Sequence, residues 1–578
     1  MRFLFTALVL LALAPPGRAA NAPQVLAAQA RQVLKTHCYR CHSGEGSSSG
    51  YTFDVTKHDS LTKKLGDDEP MIVANSLAKS PLWDAVQKRM PQKGSSERDS
   101  FGDAERKVIE KWIVAGAPPF PEAAARPFRT LKAELTAARD HLAKAQPEDR
   151  KFLRFFTLAN PHNDPRTTDE DLRYHRAALS KVLNSLSWAK PIVVPESVDK
   201  SDTLYAVNVK DLDWHAGDQW KMLVDAYPYG LKYGSHPDRD LRELDKEIVR
   251  DTGTQLPILR TDWFIATASR PPLYHDLLKL PKNAKVLEEE LGVDIPANFK
   301  ADKLMRAGFA KSGVSGQNRM VERHESKYGA YWKSYDFFPE TGRANLTRFP
   351  LGPNFEHHPF PNQVFKHDGG EIIFNLPNGL QAYLLVDNKD ERIDAGPIDI
   401  VGDDKRVSGT PAIVNGISCM ACHSQGMIGF TDQIRDSHAV FGEASEKTKR
   451  LYPEKKKFDA RIEQDKKRFT DALDKAVGSF LKVGADKDTP LGKFKEPVTE
   501  VSIPYRRGYL DLKAVAAELY LEKPDDVLKK IGEKKLKELG LEPLGKPGGL
   551  VGRYQWEAVD GVSLMQEVAR ELSFTPLR

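Results

Sequence analysis

The stretch VLAAQARQVLKTHCYRCH, residues 25–42, predicts a helix that ends in a Cys-x-x-Cys-His motif. Apolar residues recur at helical spacing from Val25 to Thr36, and the motif follows directly. A second motif of the same type, CMACH, occupies residues 419–423. In such a motif two thiols add across the vinyl groups of a haem, and the adjacent histidine is held beneath the iron. The sequence therefore predicts two covalently attached haem c groups.

The four cysteines of the chain all lie in these two motifs. We expect thioether bonds at Cys38, Cys41, Cys419 and Cys422 and axial iron ligation by the histidines that follow, His42 and His423. A zinc site is the first alternative, but 381 positions separate Cys38 from Cys419, whereas zinc ribbons use short spacings. A pair of redox dithiols is the second, and it would need a βαβ context that neither motif shows.

The N-terminus is typical of a secretory signal peptide. It begins with Met1-Arg2, continues with an apolar run from Phe3 to Ala14 and ends in small residues before position 21. An uncleaved anchor is the alternative, although the run is short for a membrane span. We expect an exported, periplasmic protein whose mature chain has no membrane span, which agrees with haem attachment outside the cytoplasm.

Charge gives no argument for nucleic acid as a partner. The formal net charge is +5, and removing Arg2 and Arg18 with the signal peptide leaves +3. No basic tract is interleaved with aromatic residues as in a nucleic-acid groove.

The pattern along the chain predicts a mainly α, multidomain protein. We expect a signal peptide at 1–20, a cytochrome-like domain with the first haem at 21–121, and an α+β middle domain at 122–414. The second haem and strongly charged helices follow at 415–495, and a helical C-terminal region at 496–578 completes the chain. Residues 283–310 are expected to be rich in helix. A β-hairpin is expected around Pro377-Asn378-Gly379, because Asn-Gly suits tight primed turns.

The sixth ligand of the first iron is predicted from position. Met90 lies in Arg89-Met90-Pro91, on a loop before the helix that closes the first block. A single-haem cytochrome c domain places its thioether ligand on such a loop. A methionine is otherwise often a filler of the hydrophobic core.

The first block resembles the planctomycete-type cytochrome c domain. The residues that carry the resemblance are the helix into Cys38–His42, the Arg89-Met90-Pro91 loop and the closing run from Trp112 to Pro118. The resemblance implies a class I cytochrome c fold, an electron-transfer role and ligation by Met90. Gln92 departs from the family, which usually has two prolines after this methionine.

The rest of the chain is similar to a broader set of bacterial di-haem proteins that has no established activity. The segments that carry this similarity are KVLNSLSW (181–188), DWFIATASRPPLY (262–274), SGVSGQNRMVERH (312–324), GGEIIFNLPNGLQAYLL (369–385) and NGISCMACH (415–423).

The sixth ligand of the second iron is less determined by the sequence. Met427 follows His423 by four residues, too few to reach the opposite face of a haem. His324 is our first candidate, followed by His367 and His438, and an open position is the alternative.

Two functions remain open on this basis. The first is electron transfer between periplasmic redox partners such as small cytochromes or cupredoxins. The second is a di-haem peroxidase or oxygenase with an open position at the second haem, where Glu322 or His324 would act as acid and base. Arg319 or Arg323 would pair with a haem propionate. A ligand sensor is a third possibility that no motif supports.

Overall fold

The computed structural model describes residues 22–39, 41–42, 53–64, 69–88, 90–91, 101–121, 126–310, 318–338, 342–402 and 407–577. The predicted signal peptide lies outside the described residues. Helices make up 45% of the structure and strands 14%. Within the described ranges, no helix combines the length and the apolar character that crossing a membrane would require.

The N-terminal part of the chain surrounds a hydrophobic core of its own. Its helices are α1 (Ala22–His37), α2 (His58–Thr62), α3 (Pro81–Lys88) and α4 (Asp103–Val114). Helix α1 packs against α4, so that Ala30 and Leu34 share one core with Ile109 and Trp112. The amphipathic pattern of both helices thus buries one face of each against the other.

A small mixed sheet and several helices begin the middle region. The strands of this region are β1 (Leu153–Thr157), β2 (Glu196–Ser197), β3 (Leu204–Asn208), β4 (Leu231–Lys232) and β5 (Ile258–Arg260). The sheet order is β2-β3-β1-β5, with β1 antiparallel to β3 and parallel to β5. The helices are α5 (Leu131–Lys144), α6 (Pro147–Arg150), α7 (Ala159–Asn163), α8 (Asp169–Ser185), α9 (Gln219–Ala226), α10 (Arg239–Thr252), α11 (Thr261–Ala268), α12 (Leu273–Leu277), α13 (Ala284–Leu291) and α14 (Ile295–Lys300).

A six-stranded antiparallel sheet follows. Its strands are β6 (Leu304–Ala310), β7 (Asn318–Ser326), β8 (Gly329–Asp336), β9 (Gly369–Asn375), β10 (Gln381–Asp387) and β11 (Arg392–Ile393). They are hydrogen-bonded in the order β11-β10-β9-β8-β7-β6, a meander in which each strand lies beside its neighbour in the chain.

The expectation of a mainly α protein is wrong, because this sheet is a major element of the fold. Residues 283–310, expected to be rich in helix, end in strand β6. Strand β7 is buried on both faces although it contains Arg323, Glu322 and His324. Polar residues on both faces hide the alternation of apolar and polar residues by which a strand is recognised.

The predicted hairpin is present, but its turn is of another type. Strands β9 and β10 pair in register from Asn375 with Gln381 to Gly369 with Asp387. Leu376 and Leu380 close a three-residue loop by a hydrogen bond of 2.8 Å, and Gly379 has φ +92°. This is the arrangement of a turn followed by a left-handed residue, rather than a two-residue primed turn.

The C-terminal third of the chain packs onto the middle region. Its helices are α15 (Ile417–Cys422), α16 (Glu443–Leu451), α17 (Lys455–Leu481), α18 (Pro497–Arg506), α19 (Leu512–Glu518), α20 (Asp525–Ile531), α21 (Glu533–Glu538), α22 (Arg553–Glu557) and α23 (Leu564–Glu571). The short strands are β12 (Tyr509–Leu510), β13 (Val551–Gly552), β14 (Val559–Asp560), β15 (Val562–Ser563) and β16 (Thr575–Pro576). Strand β16 pairs with β4, and one hydrophobic core runs from Phe156 to Ala569.

Candidate haem-binding sites

The first Cys-x-x-Cys-His motif continues the last turn of α1. The backbone N–H groups of Cys38 and Tyr39 both donate to the carbonyl oxygen of Leu34, at 2.9 and 3.2 Å. The N–H of His42 donates to the carbonyl oxygen of Cys38 at 3.0 Å, which closes a further turn. The chain therefore holds both thiols and the imidazole within one turn, as attachment to a single haem requires.

The imidazole of His42 is packed against an aromatic ring. It stacks on Phe53 with the ring centroids 4.6 Å apart and the planes inclined by 11°. Burial lowers the pKa of His42 to about 4. The ring is therefore neutral at physiological pH, and neutral imidazole is the form that ligates a metal.

Met90, the predicted sixth ligand of the first iron, directly follows the segment that ends α3. Its side chain is partly buried, and its N–H donates to the carbonyl oxygen of Ala85 at 2.7 Å. Its ligation of iron stays a prediction.

Tyr39, between the two cysteines of the first motif, contacts the main body of the protein. Its hydroxyl donates to Oδ2 of Asp511 at 3.1 Å and accepts a hydrogen bond from Nη1 of Arg166 at 2.7 Å. Arg166 also forms an ion pair with Asp511, at 3.1 Å, and with Asp164, at 2.8 Å. Sequence reasoning missed this contact, because Tyr39 and Asp511 are 472 positions apart.

The second motif lies on the short helix α15 inside the main hydrophobic core. Cys419 is 2% exposed, whereas Cys422 is exposed. The helix follows Gly416, which has φ +84°. A Cβ atom at this glycine would lie 2.4 Å from the carbonyl oxygen of Ser269 and 2.9 Å from the ring of Tyr274. Only glycine therefore allows the chain to enter α15 at this point.

A cavity of about 750 Å³ separates α15 from one face of the six-stranded sheet. Cys419, Cys422 and His423 lie on one wall. The opposite wall consists of side chains from five strands, namely Phe309, Arg319, Val321, Trp332, Glu371, Ile373 and Leu385. The volume falls within the range of roughly 300–1,000 Å³ that is usual for ligand and cofactor sites.

The imidazole of His423 directs one nitrogen toward the sheet. Its Nδ1 lies 3.2 Å from the carbonyl oxygen of Gly426. Because a carbonyl only accepts, Nδ1 carries the proton, and the lone pair of Nε2 is available to a metal. Nε2 lies 3.7 Å from Oε2 of Glu371 on strand β9.

An ion pair stands on the sheet wall of the cavity. Nε of Arg319 donates to Oδ1 of Asp336 at 2.5 Å, and both side chains are largely buried. Burial raises the pKa of Asp336 above its ordinary value, although Arg319 acts in the opposite direction.

The lining of the cavity fits a haem. Two thiols and an imidazole lie on one wall, apolar side chains such as Val321 and Ile373 suit the macrocycle, and Arg319 is a suitable partner for a propionate. Within the described ranges, no group of three or more His, Cys, Asp or Glu side chains suited to a metal ion occurs.

The sequence candidates for the second sixth ligand lie elsewhere. Side chains alternate along a strand, so Arg319 and Val321 face the cavity and His324 faces away. His324 contacts Asn298 at 3.2 Å and Glu322 at 3.3 Å on that far face. His367 packs its ring on Tyr335, and His438 is exposed. None of the three is among the residues that line the cavity.

Comparison with known proteins bears on the first motif. Residues 38–94 match the planctomycete cytochrome C family. The matched segment begins at Cys38 and includes His42 and Met90, and it confirms the resemblance of this part of the chain. It implies covalently bound haem c and a role in electron transfer. No curated protein and no solved structure matches the chain.

The cytochrome c domain is connected to the second motif through one helix. Helix α18 packs against α1, which leads into the first motif, and against α15, which carries the second. At about 1.5 Å per residue its ten residues, Pro497–Arg506, span about 15 Å. The two motifs therefore adjoin a common short element.

A small polar cavity of about 150 Å³ lies where α1 meets α18. Lys35 of α1 and Glu500 and Tyr505 of α18 are among the residues that line it. Burial lowers the pKa of Lys35, although the carboxylates of Asp171 and Asp164 act in the opposite direction.

Proposed function

We propose that this chain is an exported di-haem c-type cytochrome that transfers electrons between periplasmic redox partners. Cys38, Cys41 and His42 hold one haem c, with Met90 as its sixth ligand. Cys419, Cys422 and His423 hold a second in the cavity against the six-stranded sheet. When bound, the haems supply reversible one-electron chemistry at iron.

The contact of α18 with both α1 and α15 is the observation that carries this proposal. Electron transfer through protein slows steeply with distance, so two haems serve one electron path only when they are held near each other. Because α18 adjoins both motif-bearing helices, the fold supports such a path within one chain.

Counting haems in cysteine variants tests the proposal. We expect two covalent haems in the native protein, and one in each of two double variants, Cys38→Ser with Cys41→Ser and Cys419→Ser with Cys422→Ser. Mass spectrometry of the denatured chain and haemochrome absorbance provide the count. A native protein with one haem, unchanged by the substitutions at 419 and 422, would refute the second site.

The partners we propose are small redox proteins such as cytochromes or cupredoxins outside the cytoplasm. The test is fractionation of cells that produce the full chain, followed by reduction of the purified protein by candidate donors. Recovery of haem-bearing protein from the periplasm supports the proposed location, and recovery only as a haem-free cytoplasmic chain contradicts it.

A di-haem enzyme, a peroxidase or oxygenase, is the second candidate function. Among the described residues that line the cavity, the histidines and methionines are His423 and Met427, both on the segment that follows Cys422. The sheet wall thus contributes neither imidazole nor thioether, which favours an iron that can bind a small ligand. Two low-spin haems that ignore cyanide and peroxide would exclude this candidate.

A further inference from the structure

We propose that Glu371 is the sixth ligand of the second haem, as a carboxylate oxygen opposite His423. The inference rests on the proposed second haem. It assigns the iron an oxygen donor from the sheet in place of the histidine or methionine that sequence reasoning looked for.

The separation of the two side chains suits opposite sides of one metal ion. Oε2 of Glu371 lies 3.7 Å from Nε2 of His423. Bonds from imidazole nitrogen and carboxylate oxygen to a first-row metal ion, taking zinc as a guide, are about 2.0–2.2 Å long. Two such bonds along one axis add up to about 4 Å, which is close to the separation of these two atoms.

The backbone holds Glu371 firmly in place. Strand β9 lies inside the sheet, with β8 on one side and β10 on the other. Glu371 pairs in register with Leu385, and its N–H donates to Oγ of Ser334 at 2.9 Å. A donor on an interior strand is positioned more accurately than one on a loop.

The other charged groups on the sheet wall have partners of their own. Three further carboxylates line the cavity: Asp336 is paired with Arg319, Asp368 accepts a hydrogen bond from the N–H of Phe338, and Asp387 accepts from the N–H groups of Lys389 and Glu391. Met427 lies on the chain just beyond the turn in which His423 meets Gly426, on the same side of the cavity as His423. Glu371 is the carboxylate that faces the motif: it contacts His423 and accepts a hydrogen bond from the thiol of Cys419, which has no proton left to donate once it forms a thioether.

The ligand has consequences for the iron. A carboxylate is a hard, anionic donor that favours ferric over ferrous iron, whereas a methionine ligand raises the reduction potential. The second haem is therefore expected to have the lower potential, so that electrons pass from it to the first haem. Its ferric form is expected to be high-spin and to exchange the carboxylate for cyanide.

Spectroscopy of Glu371 variants of the full-length holoprotein tests the proposal. Glu371→His places a strong-field donor on the same strand, and we expect loss of the high-spin electron paramagnetic resonance signal and loss of cyanide binding. Glu371→Gln removes the negative charge, and we expect the lower of the two potentials to rise. Asp336→Asn, in the same cavity, and Glu391→Gln, at an exposed position of the neighbouring segment, are the matched controls. Both should keep the native spin state.

Covalent haem is counted in every preparation before the spectra are compared. A single haem in the native protein would refute the second site itself. Two haems whose spin state and potentials do not change in Glu371→His and Glu371→Gln would refute the role of Glu371 and leave the second site intact. Equal changes in Asp336→Asn would show a general effect of charge, and would also refute ligation.

Discussion

Glu322 and His324 show that buried polar and charged side chains need hydrogen-bond partners. Both are fully buried on the sheet face that points away from the cavity beside α15. Glu322 accepts hydrogen bonds from Nε and Nη2 of Arg306, at 3.0 and 2.8 Å, and from the hydroxyl of Tyr335 at 2.7 Å. A buried carboxylate is tolerated only with such partners, so these residues are explained by packing and charge pairing rather than by catalysis.

The pH dependence of stability tests this account of Glu322. Burial alone would raise the pKa of Glu322, but the charge of Arg306 and the hydrogen bonds from His324 and Tyr335 outweigh it and hold the pKa well below its ordinary value. A carboxyl with a depressed folded-state pKa contributes stability above its unfolded pKa of about 4.3, and this is lost as pH falls below that value.

We therefore expect Glu322→Gln to lower the free energy of unfolding by about 3 kcal/mol at pH 7, because it leaves Arg306 with no buried counter-charge. The variant should also lose less stability than the native protein between pH 5 and the acid limit of folding. Denaturant titrations at a series of pH values measure both effects. An equally steep acid loss in native and variant protein would contradict the assignment.

Helix α15 shows how one backbone position governs an element. The helix follows Gly416, whose conformation and close contact with Ser269 leave no room for a side chain. Before this helix the chain forms a β-bridge between Ala395 and Val414, and α15 begins three residues after Val414.

Gly416→Ala is expected to destabilise the protein and reduce haem attachment at the second motif. Gly416 has φ +84° and ψ −80°, the γ-turn conformation that is strained for a residue with a Cβ atom, and the contact with Ser269 adds to that cost. Gly409→Ala is the matched control, because Gly409 has φ +89° but nothing within 4 Å of its Cβ position. Thermal unfolding and haem counting compare the two, and equal losses would show that the contact with Ser269 has no role.

The cytochrome c domain packs against the rest of the chain through two sets of contacts. Tyr39, Arg166 and Asp511 connect the first motif to the N-terminus of α19, and α18 connects it to the second. Arg166 is the centre of this contact, since it bonds to Tyr39, Asp511 and Asp164 together. These contacts join the cytochrome c domain to the helices that lie beside both candidate haem sites.

Arg166→Ala is expected to loosen this docking without removing either haem. Asp164 and Asp511 would lose their common counter-charge, and a bond to a charged group contributes about 1.5–3 kcal/mol. Amide hydrogen exchange in α1 should accelerate, and electron equilibration between the haems after flash reduction should slow.

Arg176→Ala is the control for that prediction, because Arg176 lies on nearby α8 and its guanidinium donates to the carbonyl oxygen of Asp202. Unchanged exchange in α1 and an unchanged equilibration rate in Arg166→Ala would show that the docking does not depend on this residue.

Features that depend on residues close together in the chain are predictable from the amino-acid sequence. Cys38, Cys41 and His42 lie within five consecutive positions, so a haem-attachment motif can be recognised there without knowledge of the fold. The family match at residues 38–94 agrees with that prediction. The helix before the motif and the hairpin of β9 and β10 follow from local periodicity and turn residues.

The far wall of the second site and the six-stranded sheet that forms it depend on contacts between distant parts of the chain. His324 and Glu371 both lie on strands of this sheet, and strand pairing directs the first away from the cavity and the second toward His423. Side-chain direction in a sheet depends on register, and register depends on contacts between residues far apart in the chain. Strands β6 to β8 are hard to predict for a related reason. Their buried charged residues have partners far away in the chain, as Arg323 has in Asp465 on helix α17.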